Sequence, residues 1–494
     1  MSVILRNMDR REEALETIEK AVIMWRSLAK DNPIVFNPIL AGALNNMSVQ
    51  LKEMDMRKEA LEGIREAVEI YKSLAKDNPT VYNPYLATSL SNQSNRLSDI
   101  DKKREALEVI EEAVKIRRSL AKDDPAAFNV SLALILHNQS NQLSFMGRRK
   151  EALVTIEEAT NISRLLVKNS DVFNPTLAAS LNYLSLRLSE MGMKKEALES
   201  VEEALRIWRP CAKDDPEAFN PILALSLNNY SHQLSFMCKR KEALENVEEA
   251  VRIRRSLVED DPAAFNTALV DSLNDLSYRL SDVGRRKEAL QSIEEAVGIQ
   301  RMLAKDNLVA SRSALANVLD SMSDHLNKMG RQHEALACSE EAVSIQRPLT
   351  MESSTTSNTN FALFLLTLSK RLRESGKTER ALGCIEEAIA IWREVGEEYP
   401  GAINSDLAAS LCQLGRILND SGENDKAISA SRESSRLYEE LAQSYPEKFN
   451  EDFVDSLDVL RKCLEDVGKD DEARRIEEKA ASIGKDIHIQ DLDL

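Results

Sequence analysis

The stretch from Arg240 to Leu257 sets the pattern for the whole chain. Ala243, Val247, Ala250 and Val251 stand at i, i+4, i+7 and i+8, one apolar stripe on a helix. The polar side carries Glu245, Glu248 and Glu249 early and Arg252, Arg254 and Arg255 late, an order that suits the helix dipole and allows i,i+4 Glu–Arg pairs. A second helix precedes it, predicted from Pro221 to about Met237, with Leu223, Leu227, Tyr230, Ser231 and Leu234 on one face. Asn220 is its expected N-cap and Pro221 its N1 residue, and the same Asn-Pro signal stands at Asn37, Asn83 and Asn174. Where the proline is replaced, Asn129, Asn266, Asn404 and Asn450 keep the cap. These first helices end at Gly147, Gly192, Gly284, Gly330, Gly376, Gly422 and Gly468, expected left-handed C′ residues. Lys213-Asp214-Asp215-Pro216 reads as the loop between units.

The pair recurs. The alanine opening the second helix stands at 14, 60, 106, 152, 197, 243, 289, 335, 381, 427 and 473, always 46 apart except for one step of 45. The missing residue falls between Lys168 and Phe173, in a predicted loop. A fixed period of this length means a quasi-linear array, each unit burying its apolar face on its neighbours.

Small residues narrow the family. Twelve before each alanine stand Ser48, Ser94, Ser140, Ser185, Ser231, Ser277, Ser323, Ser369 and Gly415, and seven after it an alanine in ten of eleven units, Ser434 being the exception. Sixteen before it is leucine, from Leu44 to Leu457. With Leu44-Asn45-Asn46 and Leu227-Asn228-Asn229, this pattern resembles the tetratricopeptide repeat in its long-unit, kinesin light chain-like form. The resemblance covers essentially the whole chain. It implies an all-α, right-handed superhelical solenoid of 46-residue helix-turn-helix repeats, whose concave groove holds an extended peptide or a partner helix.

Two places break the period. The loop before Ser311 lacks Phe-Asn-Pro; Pro348 is expected to end a helix, and Thr350 to Asn360 has no apolar period. The expected organisation is therefore an array over 1–348, an irregular loop or hinge over 349–360, a continued array with a capping helix over 361–484 and a tail over 485–494. Met1-Ser2-Val3 aligns with Met47-Ser48-Val49, halfway along a first helix, so an internal start within a longer protein is expected, with a loose first pair as the other reading.

The formal charge of −17 argues against nucleic acid backbones and anionic membranes as main partners. Six scattered cysteines with no CxxC read as reduced residues of a cytoplasmic protein. No apolar run reaches the ~18 residues of a membrane span. The five histidines form no HExxH, and neither a phosphate-binding glycine loop nor a GxSxG elbow occurs. No enzyme activity, cofactor or metal is expected, because glutamate pairs that recur in every unit are a solvated helix face.

Recognition is therefore sought where units differ. Following the resemblance, the groove maps to residues 15 and 11 before each alanine. There stand Asn45, Ser91, Asn95, His137, Asn141, Asn182, Asn228, His232, Asn274 and Tyr278, then Lys370 and Arg416, with Arg373 nearby. An asparagine ladder can bond a peptide's N–H and C=O groups regardless of its side chains, or can bond neighbouring helices. Further on, Asp320 and Asp324 give way to Lys370, Arg373, Arg416 and Lys462, a basic stretch suited to a carboxylate or acidic peptide. The resemblance also brings a carboxylate clamp of lysine and asparagine in an early unit; Asn45 and Val49 in the first unit do not match it. Trp25, Trp208 and Trp392 share one position with Arg117, Arg254 and Gln300, read as a half-covered packing site. The expected function is a protein-binding scaffold or adaptor. The alternative is the ligand-sensing arm of a larger signalling protein with an NTPase or protease domain upstream.

Overall fold

The computed structural model describes residues 11–54, 56–306, 309–351, 355–398 and 404–492. The start of the chain, on which the expected half-helix falls, lies outside them up to residue 10. Twenty-one α-helices lie among the described residues. The chain divides into two compact units, 1–187 and 188–494. The helices run α1 (Arg11–Asp31), α2 (Pro33–Glu53), α3 (Arg57–Asp77), α4 (Pro79–Asp99), α5 (Lys103–Asp123), α6 (Pro125–Phe145), α7 (Arg149–Asn169) and α8 (Asn174–Glu190). They continue as α9 (Lys194–Asp214), α10 (Pro216–Phe236), α11 (Arg240–Asp260), α12 (Pro262–Asp282), α13 (Arg286–Leu303), α14 (Val309–Lys328) and α15 (Gln332–Met351). The last six are α16 (Thr355–Glu374), α17 (Thr378–Glu398), α18 (Asn404–Asp420), α19 (Asn424–Ser444), α20 (Pro446–Glu465) and α21 (Asp470–Leu492). Even numbers are first helices and odd numbers the alanine helices. The architecture is an all-α repeat solenoid.

The stripes expected from the sequence are the core. Ala243, Val247, Ala250, Val251, Leu223, Leu227, Ser231 and Leu234 are all buried, and Tyr230 is half-buried against them. The helix starts are different. The expected loop at 213–216 does not exist: α9 ends at Asp214, α10 begins at Pro216, and Asp215 alone joins them. Asp215 is the N-cap, accepting from Ala218 N–H at 3.1 Å, and Pro221 lies inside the helix. Asn32, Asn78, Asp124 and Asp261 cap α2, α4, α6 and α12 in the same way. Two cap-plus-proline signals stand five residues apart, and the outer one prevails because it adds more than a turn of helix. Among the described residues α8 begins at the inner asparagine, and α18 is described from Asn404 onward. Before α8 a 3₁₀ turn, Asp171–Phe173, fills the place where one residue is missing.

Pro348 does not end its helix, since α15 continues to Met351 and α16 is already helical from Thr355. Of the expected irregular stretch only 352–354 falls outside the described residues. The expected tail is helical to Leu492. All seven predicted C′ glycines have positive φ, between 73° and 82°. Asp101 and Cys238 occupy the same place at φ 64° and 56°. The left-handed region penalises any Cβ, so Cys238→Gly is expected to stabilise residues 188–494 by about 1 kcal/mol, read as a raised denaturation midpoint.

The acidic and basic ends of the alanine helices are matched between repeats more than within them. Arg26 pairs with Glu66 (2.5 Å) and Arg118 with Glu158 (2.5 Å) in residues 1–187. Arg209 pairs with Glu249 (2.7 Å), Arg255 with Glu295 (2.7 Å), Arg301 with Glu341 (2.9 Å), Arg347 with Glu387 (2.7 Å) and Arg393 with Glu433 (3.0 Å) in residues 188–494. Each spans forty residues, to the next alanine helix. The i,i+4 Glu–Arg pairs expected for residues 240–257 give way to these links. Each is half exposed and contributes at most about 1 kcal/mol.

Candidate interaction face of the first helices

Position 15 before the alanine is largely taken up by contacts between neighbouring first helices. Asn92 of α4 donates to the Asn45 side-chain oxygen of α2 (2.9 Å), and Asn138 of α6 donates to Ser91 Oγ of α4 (3.0 Å). His137 Nε2 lies 2.8 Å from Ser180 Oγ, with its ring 4.9 Å from that of Tyr183. In α10, Asn228 donates to Asp275 (2.8 Å) and accepts from Ser272 (3.2 Å), whose oxygen also accepts from Arg254 (2.7 Å). Asn182 is buried. The side-chain oxygen of Asn274 makes no hydrogen bond among the described residues. Removing Asn228 takes the acceptor from the buried Ser272 hydroxyl and one of the two donors from Asp275. Asn228→Ala is expected to cost about 1–3 kcal/mol in denaturant unfolding of residues 188–494, and Asn141→Ala less than about 0.5.

Position 11 is mixed. His232 Nε2 sits 3.1 Å from Asp275, and Tyr278 donates to Ser321 (3.1 Å). Arg373, three residues beyond this position, donates to Asp420 (3.3 Å). Asn95, Asn141, Lys370 and Arg416 make no hydrogen bond or ion pair among the described residues. A cavity of about 330 Å³ adjoins the last of these, lined by Arg373, Arg416, Asp420, Asp455, Asp458 and Lys462 among others.

Position 10 lies outside the groove positions expected from the sequence. It reads Gln50, Arg96, Gln142, Arg187, Gln233, Arg279, His325 and Arg371, polar residues inside otherwise apolar repeats. Six of the eight are buried. Their recurrence in eight successive repeats is the signal in the sequence; Ile417 and Cys463 stand there in the last two. His325 Nε2 lies 2.8 Å from Ser277 Oγ, and Arg371 reaches back to Ser323 (3.2 Å) and Asp324 and along its own helix to Glu374 (3.1 Å). The serines at position 12 also make bonds of their own. Ser94 and Ser140 donate to the carbonyls of Ala106 and Ala152 at 2.7 and 2.8 Å, tying the two helices of a unit together.

Both serine–histidine contacts are sealed, with His137 and His325 3% and 2% exposed, so they link helices and reach no substrate. Burial pushes both imidazoles down to about 4, keeping them neutral. Burial, with Asp324 beside it, pushes the Asp320 carboxyl up to about 7 against the pull of Thr367, Arg371 and Lys370. The tryptophan position is half covered at Trp25 but fully covered further on: Trp208 and Trp392 are 1% exposed, and Arg117 and Arg254 bond helix carbonyls there. No group of three His, Cys, Asp or Glu among the described residues could hold a metal, and no helix there is long and apolar enough to cross a membrane.

A stripe of the same kind lies on each of two equivalent helices, one in each unit. In α6, Leu134 (50% exposed), Asn141 and Phe145 (55%) stand at i, i+7 and i+11; in α10, Leu225 (49%), His232 and Phe236 (54%) do the same. That spacing puts each trio on one helix face.

The tetratricopeptide repeat family model matches residues 86–126, 177–209 and 269–307, and the model of anaphase-promoting complex subunit 5 matches 119–184, 219–270 and 305–399. Among solved structures, BtubC (BKLC) from P. vanneervenii is 20% identical, with a TM-score of 0.41 over 50% of this chain and 92% of that one. A putative kinesin light chain of P. anserina with nearly identical TPR-like repeats is 20% identical, with a TM-score of 0.33 over 44% of this chain and 96% of that one. A Rap protein complexed with competence and sporulation factor is 12% identical, with a TM-score of 0.49 over 82% of this chain and 99% of that one. No curated protein sequence matches the chain.

Proposed function

We propose that this chain, a tetratricopeptide-repeat protein, is a non-catalytic scaffold that holds an extended peptide or a partner helix along the uncovered face of its first helices. The observation that carries the reading is the stripe of α6 and α10: two large apolar side chains about half exposed on each, flanking a polar residue at the middle position. Exposed Phe and Leu aligned on one helix face are an unfilled contact surface, and aromatic anchors beside desolvated polar groups are where binding energy concentrates. Asn141 adds an amide that both donates and accepts, suited to a peptide backbone.

The test is to pan a random dodecapeptide phage library on the full chain and measure the selected peptides against Phe145→Ser and Phe236→Ser. Both side chains are half exposed, so melting is expected to stay within about 2 °C of the parent chain. Binding of a selected peptide is expected to fall tenfold or more in the variant that covers its site. If neither variant, nor Asn95→Ala with Asn141→Ala, alters the binding of any selected peptide, the face is not the site.

A further inference from the structure

Within residues 188–494 the acids and bases of the first helices are used unequally. Asp275 is taken by Asn228 and His232, Asp282 by Arg279 (2.9 Å), Asp324 by Arg371, Asp420 by Arg373 and Asp458 by Arg461 (3.5 Å). The cations at position 11 form no such pairs, although Lys370 lies in the field of Asp320 and Asp324. Lys370 of α16, Arg416 of α18 and Lys462 of α20 make no hydrogen bond or ion pair among the described residues. Lys370 and Lys462 are exposed and Arg416 half-buried. They stand one per repeat, on successive first helices that meet directly, as Arg373–Asp420 (3.3 Å) and Asn419–Asp466 (2.6 Å) demonstrate. Asp455 is the one carboxylate of the adjoining cavity without an ion pair among the described residues.

We infer that the partner of this part of the face is an extended acidic peptide whose carboxylates fall at every third residue, one for each of Lys370, Arg416 and Lys462. The inference rests on the scaffold reading above and names the chemistry of its partner. Packed helices lie about 8–10 Å apart, and in a polyproline II chain three residues span about 9 Å and bring the side chain back to the same face, so a three-residue period matches the cation row. A carboxylate against arginine or lysine forms a charge-assisted bond, and three such bonds leave a marked salt dependence. The net charge of −17 makes the row a local exception, so a polyanion without the right spacing is repelled by the rest of the surface.

The probes are three fluorescein-labelled peptides: five repeats of Glu-Ser-Ala, the same with glutamine for glutamate, and an isomer with all five glutamates in one block. Anisotropy is read on the full chain at 50 and 300 mM salt. The regular glutamate peptide is expected to bind at low salt and weaken at least fivefold at high salt. The glutamine peptide is expected to bind at least tenfold more weakly, the block isomer several-fold more weakly. Lys370→Glu with Arg416→Glu and Lys462→Glu should abolish binding. Should that triple variant not fold, Lys370→Gln and Lys462→Gln, both at exposed side chains, are each expected to weaken binding about threefold. Equal binding of the glutamine peptide, unchanged binding by the charge-changed variants, or no binding of the glutamate peptide at 50 mM salt overturns the inference. A library-selected neutral peptide that still binds the triple variant through Phe236 would leave the scaffold reading standing while the acidic partner falls.

Discussion

Arg371→Ala is expected to destabilise residues 188–494 by about 2–4 kcal/mol, while Lys370→Ala next to it changes stability by less than about 0.5 kcal/mol. The two cations differ by 100° around α16. Arg371 is 7% exposed and ties α16 to α14 through Ser323 and Asp324 while holding Glu374. Its loss leaves Asp324 without its hydrogen-bonded cation and removes one of the charges that restrain the Asp320 carboxyl. The value stays below that of a fully buried pair because Asp324 keeps 38% of its side-chain surface in water. Arg371→Lys is not expected to rescue, since an ammonium cannot serve three partners through a planar fork. Denaturant unfolding followed through Trp208 and Trp392 separates the outcomes. Equal costs at 370 and 371 would show that the division between structural and free cations is wrong.

Acidification is expected to loosen residues 1–187 before residues 188–494. His137 has a folded pKa of about 4, below the ordinary 6.5. A lowered histidine contributes stability that is complete above pH 6.5 and lost as pH falls through 4, here roughly 3 kcal/mol. His325 does the same in the second unit. Asp320 opposes it there. Its folded pKa is raised to about 7, so it weighs against folding at pH 8 and is progressively relieved below pH 7. Hydrogen exchange at pH 7.5, 6 and 5 is expected to show protection falling first around α6 and α8. His137→Gln should flatten the profile of the first unit, and Asp320→Asn should raise the stability of the second at pH 8 but leave it unchanged at pH 4. Parallel loss in both units at every pH would contradict the assigned groups.

The repeat, its helices and its glycine turns were legible because each rests on local chemistry: a 3.6-residue apolar period and the freedom of Gly147 or Gly284 at positive φ. The helix starts were misplaced because Asp215-Pro216 and Asn220-Pro221 carry the same cap chemistry, and the choice depends on whether five more residues find cover. The partners of Asn45 and Asn228 were not legible, since a bond to a residue 44–47 positions away depends on how two helices are rotated against each other. Arg371 escaped for the same reason. Beside Lys370 it looks like one more surface cation, and only the packing of α16 on α14 separates them.

The single-residue joints and the forty-residue Arg–Glu links together make the units interchangeable parts. Asp215 connects α9 to α10 as Asp261 connects α11 to α12, and Arg209 meets Glu249 as Arg255 meets Glu295. The back of one unit therefore fits the front of many others. A 46-residue insertion or deletion in register would leave each remaining joint chemically as it was. Copy number then acts as a length gauge, lengthening or shortening the contact face one first helix at a time without a new core having to be invented.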